Sequence, residues 1–376
     1  MDFLTGFDVL WSTVLIKIVP FLFVLTVIVF FHELGHYAIG RLCGIRVLTF
    51  SIGFGPELFG FTDRAGTRWR LAAIPLGGYV KFFGDENAAS VPDQDRVRAM
   101  SASERAEAFP SATVGRRAAT VLAGPVANFI LAIVIFAAVA FFAGRTIGDP
   151  VVSQVRAGSP AEAAGILPGD RVVALDGGKV EYFSDILEYV ATHPASAIQV
   201  SVNRGGQVLD FSVTPRMESQ TDPFGNKIEG PLLGLVADRQ SADFRLEKLG
   251  PIDSLRYGVE QTWFFTKATV GFIGGIFSRG QGAEQIGGPV RIAQVSSQVA
   301  TIGFAAIMLL AAQLSISIGL LNLLPIPMLD GGHLMFYVAE ALRGRPLSER
   351  VQEFGFKVGL VLVMSLMVFA FWNDLS

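Results

Sequence analysis

The chain is short of charge and nearly free of cysteine. Only 17 % of its 376 residues are Asp, Glu, Lys or Arg, whereas a soluble domain carries about a quarter. That leaves too little solvated surface for a soluble globule of this length. The single cysteine, Cys43, excludes any intrachain disulfide. A basic leader and a small-x-small cleavage site are both missing from the N-terminal region, where the early charges, Asp2 and Asp8, are acidic. Its apolar segment is therefore expected to stay as a membrane anchor rather than be cleaved as a signal peptide. With four histidines in all, a metal centre has few imidazoles to draw on. The net charge of −3 identifies no partner by itself, and no nucleic-acid partner is expected.

Hydrocarbon is what the chain has in plenty: 51 % of residues are hydrophobic and the mean hydropathy is +0.49. Ala118 to Phe142 and Thr301 to Leu329 carry no charge, and each exceeds the roughly 20 residues needed to cross a bilayer core. A first span from about Ser12 to Ile39 and a fourth from about Phe354 to Trp372 complete the set, with Lys357 placed to snorkel. The predicted fold class is a polytopic α-helical membrane protein with four transmembrane helices. Arg41, Arg46, Arg116 and Arg117 border the loop between spans one and two, and Arg343, Arg345 and Arg350 lie between spans three and four. The positive-inside rule puts both basic loops in the cytoplasm, so both termini and the long 144–300 region lie outside.

Predicted segments are a first span at 1–40, a cytoplasmic loop at 41–117, a second span at 118–143 and a soluble unit at 144–225. A linker with an amphipathic helix follows at 226–300, then a third span at 301–335, a loop at 336–353 and a fourth span at 354–373. In the first loop, two β-rich runs flank "TDRAGT" and read as a hairpin, apolar enough to associate with the membrane. Residues 84–115 are polar and expected to be flexible. The unit from about 150 to 215 reads as strand, short helix after Ser159-Pro160, "LPGD" turn, strand, amphipathic helix "FSDILEYVATH" and a hairpin around Gly205-Gly206. Residues 251–280 are amphipathic and aromatic. They lie in the membrane interface or form a broken extra span, and Arg256, Glu260 and Lys267 favour the interface. Gly271/Gly275 and Gly355/Gly359 are spaced for close helix contacts.

Directly after the uncharged "IVPFLFVLTVIVFF" stands "HELGH". His32 and His36, four apart, share one helix face a turn apart. Two imidazoles so placed can ligate one zinc, with Glu33 beside the metal to act on its water. The alternative is three polar residues pairing across a helix bundle, but each such group is costly inside a membrane. A catalytic zinc takes three protein ligands and leaves the fourth position open. His193 lies in the external soluble unit, so the candidates for the third ligand are carboxylates near span three. Asp330 in "LNLLPIPMLDGGH" is the evident one, its other reading being a helix-end cap. Pro325 and Pro327 would break the helix just before it, and broken backbone is tolerated at membrane depth where it lines a polar cavity. His333 is a competing ligand or a supporting residue. His32 lies 14 residues after Ile18, about 21 Å along a helix and about two thirds of the way across a core of roughly 30 Å. Asp330 also comes late in an inward-running span, so the two depths can match.

At these residues the chain resembles the site-2 protease family of intramembrane zinc metalloproteases, and within it the bacterial RseP-type (regulator of sigma-E protease) enzymes. The resemblance runs through "HELGH", "GFGPELF", "IPLGGYVKFFGDE", "GPVANF", "GGPVRIAQ" and "NLLPIPMLDGGH". The "GSPAEAAGILPGDRVVALDG" run resembles a PDZ domain, present once, where tandem-PDZ members have two. The resemblance implies one zinc ion per chain on His32, His36 and Asp330, with Glu33 catalytic. It further implies an inserted periplasmic PDZ unit that gates access and a membrane-associated β-hairpin that offers an edge strand to substrate. Leu76, Gly77, Gly78 and Tyr79 lie on that edge. Asn322, with Pro325 nearby, would hold the substrate backbone; its other reading is a hydrogen bond between helices. Asn128 is read as structural rather than catalytic. The implied reaction is hydrolysis within or beside the transmembrane helix of single-span membrane proteins, such as an anti-sigma factor or a leftover signal peptide. The implied location is the bacterial inner membrane, in contact with lipid, with the active site near the cytoplasmic face. Rival readings are a membrane zinc hydrolase of non-peptide substrates and a non-catalytic membrane PDZ scaffold.

Overall fold

A proline in the first helical turn costs little, because its missing N–H has no helical partner there. Pro20 opens α1 (Val19–Leu42) in this way. The computed structural model describes residues 18–85, 99–194, 196–221, 227–237, 244–279 and 287–375. Residues 1–17, where the first span was expected to begin, lie outside these. The chain divides into two units, Met1–Phe136 with Gly287–Ser376 and Ala137–Ile286.

In the first unit, α1 leads into an antiparallel hairpin of β1 (Val47–Thr62) and β2 (Arg68–Phe82). Asp63 organises the turn by accepting from the N–H groups of Ala65 and Thr67, both at 2.9 Å. It also accepts from Tyr37 Oη on α1 at 3.1 Å and Trp69 Nε1 at 3.0 Å, which ties helix to hairpin. The hairpin base is core: Val47, Phe50, Val80 and Phe82 are buried, and Phe50 stacks on Trp69 at 4.2 Å. Its outer part exposes Phe54, Leu58, Phe59 and Ile74.

The segment expected to be flexible is ordered from residue 99 onward. α2 (Ala102–Glu107) starts with a capping box between Ser101 and Glu104. Phe109 is buried and stacks on Phe82 at 4.9 Å. One aromatic anchor and a good cap outweigh the polar composition; the expectation for 86–98 falls outside the described residues. α3 (Val114–Phe142) follows, with Pro125 inside it.

The second unit is β-rich. Its strands and helices run β3 (Arg145–Gly148), β4 (Gln154–Val155), α4 (Pro160–Ala164), β5 (Arg171–Leu175), β6 (Gly178–Lys179), α5 (Phe183–Thr192), β7 (Ile198–Arg204) and β8 (Gln207–Val213). There follow β9 (Arg216–Thr221), β10 (Lys227–Leu232), β11 (Leu235–Val236), β12 (Phe244–Glu247) and α6 (Pro251–Arg279). A four-stranded antiparallel sheet in the order β6-β5-β7-β8 closes over a core that includes Val152, Ile166, Val172, Ile186, Ile198, Val200 and Val202. Pairing continues past residue 225: β10 pairs with β9, β11 with β4 and β12 with β3. These strands are too short to show an alternating pattern, which is why that stretch reads as a linker in the sequence. Arg145 gathers the unit's edge, paired with Glu247 at 2.9 Å and lying over the rings of Tyr182 and Tyr257. α6 is one continuous helix rather than a broken span, and it exposes Ile252, Leu255, Val259 and Trp263.

The chain then returns to the first unit with α7 (Pro289–Ala300), α8 (Phe304–Leu323), α9 (Asp330–Arg343) and α10 (Glu349–Leu375). The expected third span thus resolves into α8, a break at 324–329 and a new helix. Two prolines within three residues cannot continue the i to i−4 ladder. Gly331 and Gly332 let the restarted helix fold back onto the break: a β-carbon on Gly331 would collide with the Leu324 carbonyl, and one on Gly332 with that of Ile326. Gly359 of α10 presses against Pro327 in the break. Of the two spaced glycine pairs, this one makes a close contact, whereas Gly271 meets nothing within 4 Å. Asp374, near the end of α10, accepts from the N–H groups of Gly288, Val290 and Arg291 and so caps α7. Helices α1, α3, α8 and residues Arg350–Leu375 of α10 are long and apolar enough to cross a membrane, fitting a multi-pass membrane protein with a β-rich unit.

Candidate metal centre

Three polar side chains sit buried on α1 after its apolar first half: His32, Glu33 and His36 are 9 %, 9 % and 8 % exposed. One helical turn brings the two imidazoles edge to face, their ring centres 4.8 Å apart and their Nε2 atoms 3.2 Å apart. The break after α8 delivers the third group. Leu324 is extended, Met328 takes a φ of +89°, Leu329 is extended again, and Asp330 begins α9. Its Oδ2 lies 3.1 Å from His32 Nε2 and 3.5 Å from His36 Nε2.

Separations of this size are those of ligands on one ion. Nitrogen and oxygen atoms about 2.0–2.1 Å from a tetrahedral zinc stand about 3.3 Å from one another. Asp330 Oδ2 is moreover a buried carboxylate oxygen without a hydrogen bond among the described residues, an arrangement that costs free energy unless a cation occupies its lone pairs. The donor set of two imidazoles and a carboxylate, closing within 4.8 Å, therefore fits zinc and leaves a fourth position free.

Neighbouring groups orient the imidazoles. His36 Nδ1 donates to the Thr120 carbonyl of α3 at 2.9 Å, which leaves the Nε2 lone pair facing inward. The Nδ1 of His32 faces the Asn128 side chain at 3.3 Å. α3 comes this close because Gly124 has no side chain: a β-carbon there would collide with His36 Nε2 and stand 2.9 Å from His32 Cε1. Gly35 on α1 makes the reciprocal room for Ala123.

A cavity of about 310 Å³ adjoins His32, His36 and Asp330, and Glu33, Gly78, Tyr79, Val80, Asn322 and His333 line it. Strand β2 forms one wall at very close range, since a β-carbon on Gly78 would stand 3.1 Å from Glu33 Cγ and 2.7 Å from the Ser51 carbonyl. Gly77 and Pro325 are not among the residues that line the cavity. Gly77 turns at φ +117° against Phe54, Pro325 stands in the break, and Leu76 lies within β2. His333 is outside the three-residue metal group; its ring lies 5.4 Å from Phe356. Sequence reasoning missed Thr120, which acts through its backbone, and the contact of Asn128 with His32. The cost of an amide within an uncharged span was the available sign of the latter.

The profile of Peptidase family M50 matches residues 20–366. A protein of Agrobacterium fabrum that bears the provisional name of a zinc metalloprotease is 52 % identical over 374 residues, covering 100 % of this chain and 97 % of that one. A provisionally named zinc metalloprotease of Rhizobium meliloti is 49 % identical over 95 % of each chain. Metalloprotease MmpA of Caulobacter vibrioides is 39 % identical, with 96 % of each covered.

Proposed function

Because the chain belongs to peptidase family M50 and is a zinc metalloprotease of that family, we propose that it cuts peptide bonds inside the membrane, within or next to the transmembrane helices of its substrates. The observation that carries this reading is that Asp330 meets His32 and His36 of α1, a helix long and apolar enough to cross a bilayer. Those three residues hold one zinc ion per chain. When bound, it supplies a Lewis acid that lowers the pKa of water toward neutrality and polarises a carbonyl oxygen.

Glu33, buried on the same cavity, takes the proton of the attacking water and returns it to the leaving nitrogen. A helical substrate hides its carbonyls in its own hydrogen bonds and must first unwind. β2 belongs to a two-stranded sheet, and its edge from Leu76 through Tyr79 accepts the unwound segment as an added strand. Gly77 and Gly78 keep that edge thin. Asn322 holds backbone groups freed by unwinding, and Pro325 keeps α8 broken so that Asp330 reaches the imidazoles.

Substrates on this reading are single-span membrane proteins such as anti-sigma-factor-like proteins or signal-peptide remnants, met in the lipid of the bacterial inner membrane. The β-rich unit is a PDZ domain on the periplasmic side with both termini, and the site opens toward the cytoplasm. The basic residues at 41–46, 116–117 and 343–350 support this orientation.

The test compares wild type with Glu33→Gln, both full-length, reconstituted and zinc-loaded, on a single-span substrate. Wild type should cleave it, whereas Glu33→Gln should bind as much zinc and cleave at least about 10²-fold more slowly. Undiminished cleavage by Glu33→Gln would remove Glu33 as the base. A zinc-loaded wild type that cleaves no peptide bond would point to a hydrolase of other substrates, and one that binds no zinc to a PDZ scaffold.

A further inference from the structure

An imidazole that ligates a metal through Nε2 must carry its proton on Nδ1, so something has to accept that proton. For His36 the acceptor is the Thr120 carbonyl, which cannot act otherwise. For His32 the group in reach is the Asn128 amide at 3.3 Å. With its nitrogen toward the ring, this amide would hold Nδ1 as an acceptor and move the ring proton to Nε2, where it would block the metal. It would also strand Asn128 Oδ1, a buried atom with no hydrogen-bond partner among the described residues. An amide's oxygen and nitrogen are alike in shape, and the hydrogen-bond network decides which faces a neighbour.

We infer that Asn128 is a positioning residue whose Oδ1 accepts the His32 Nδ1 proton and thereby fixes His32 in the metal-binding tautomer. This rests on the zinc reading above and adds a role that the "GPVANF" segment does not announce.

The surroundings hold the amide in place. Asn128 is 0 % exposed, so water cannot substitute for it. Ser315 of α8 donates to the Asn128 backbone carbonyl at 2.9 Å, pinning this turn of α3. Gly319 of the same helix, whose β-carbon would stand 3.3 Å from Asn128 Cβ, leaves room for the side chain. α3 thus serves both ligands, through a backbone carbonyl at 120 and a side chain at 128. Outer partners of this kind govern metal affinity, and their loss typically weakens it 10- to 100-fold.

The experiment measures zinc affinity of the full-length chain in detergent by competition with a chromophoric chelator, with thermal unfolding of the metal-free protein as the folding control. Asn128→Leu keeps the volume and removes the acceptor, and should bind zinc 10- to 100-fold more weakly. Asn128→Asp can only accept, and should stay within a few-fold of wild type. If Asn128→Leu does not fold, Asn128→Ala takes its place with the same reading. Wild-type affinity in the variant without an acceptor would overturn the inference. So would an Asn128→Asp that falls as far as Asn128→Leu, since the residue would then matter for packing alone. Failure of the wild type itself to bind zinc would instead overturn the metalloprotease reading.

Discussion

Gly124 fixes how near α3 can come to the imidazoles, and one methyl group there tests the site without touching a ligand. The added carbon would collide with His36 Nε2, so the ring must leave its place. Gly124→Ala is expected to lose at least about 10-fold in zinc affinity, read as zinc per chain after dialysis. Gly271→Ala in α6, where nothing lies within 4 Å, should change neither zinc content nor activity. In the β-rich unit, the Arg204 guanidinium bonds Asp170, 1 % exposed, at 2.7 Å and holds its carboxyl below the ordinary carboxylate range. A carboxyl depressed in the folded state stabilises it fully above its unfolded value of about 3.9 and loses that contribution as pH falls through the lower folded value. Thermal unfolding followed below about pH 4 should show this loss in wild type and lack it in Asp170→Asn. At this scale the residues that come together were legible, because His32, His36 and Asp330 are rare groups in apolar surroundings. Thr120 was not, since a backbone carbonyl leaves no mark on the residue type, and the partner of Asn128 depends on how α1 and α3 pack.

The element that makes the centre is the break between α8 and α9, stated in the sequence by Pro325 and Pro327 and braced in space by Gly359. A methyl on Gly359 would overlap the Pro327 carbonyl, so Gly359→Ala should shift the break, lower zinc occupancy and slow cleavage together. The same helix closes a second connection, where Asp374 caps α7 through three backbone N–H groups. Its replacement by Ala should cost about 1 kcal/mol, measured by thermal unfolding in detergent. The proline break and the hairpin around "TDRAGT" could be read from local chemistry. The order of residues 99–113 could not, because Phe109 finds Phe82 far away in sequence. Nor could the continuity of α6, since a helix tolerates its glycines at about 1 kcal/mol each.

On the scale of the whole chain, two units divide the labour: one assembles the metal centre, and the other interrupts it as an insertion between α3 and α7. Arg145 and Glu247 pair across the base of the β-rich unit, so excising the residues between them joins neighbouring ends. If that unit filters substrates by the bulk of their outer domains, the excised protein should cleave untrimmed single-span proteins that the full chain spares. Unchanged selectivity would end the filter reading. Hydrophobic runs exposed the number of apolar helices, while the reach of the β-rich unit to 247 stayed hidden in strands of two to six residues. The insertion also imposes a timetable on biosynthesis. His32 and His36 leave the ribosome before the inserted unit, and Asp330 and Gly359, the brace on the loop, follow only after it. The His32, His36 and Asp330 side chains therefore come together only after the whole inserted unit has been made.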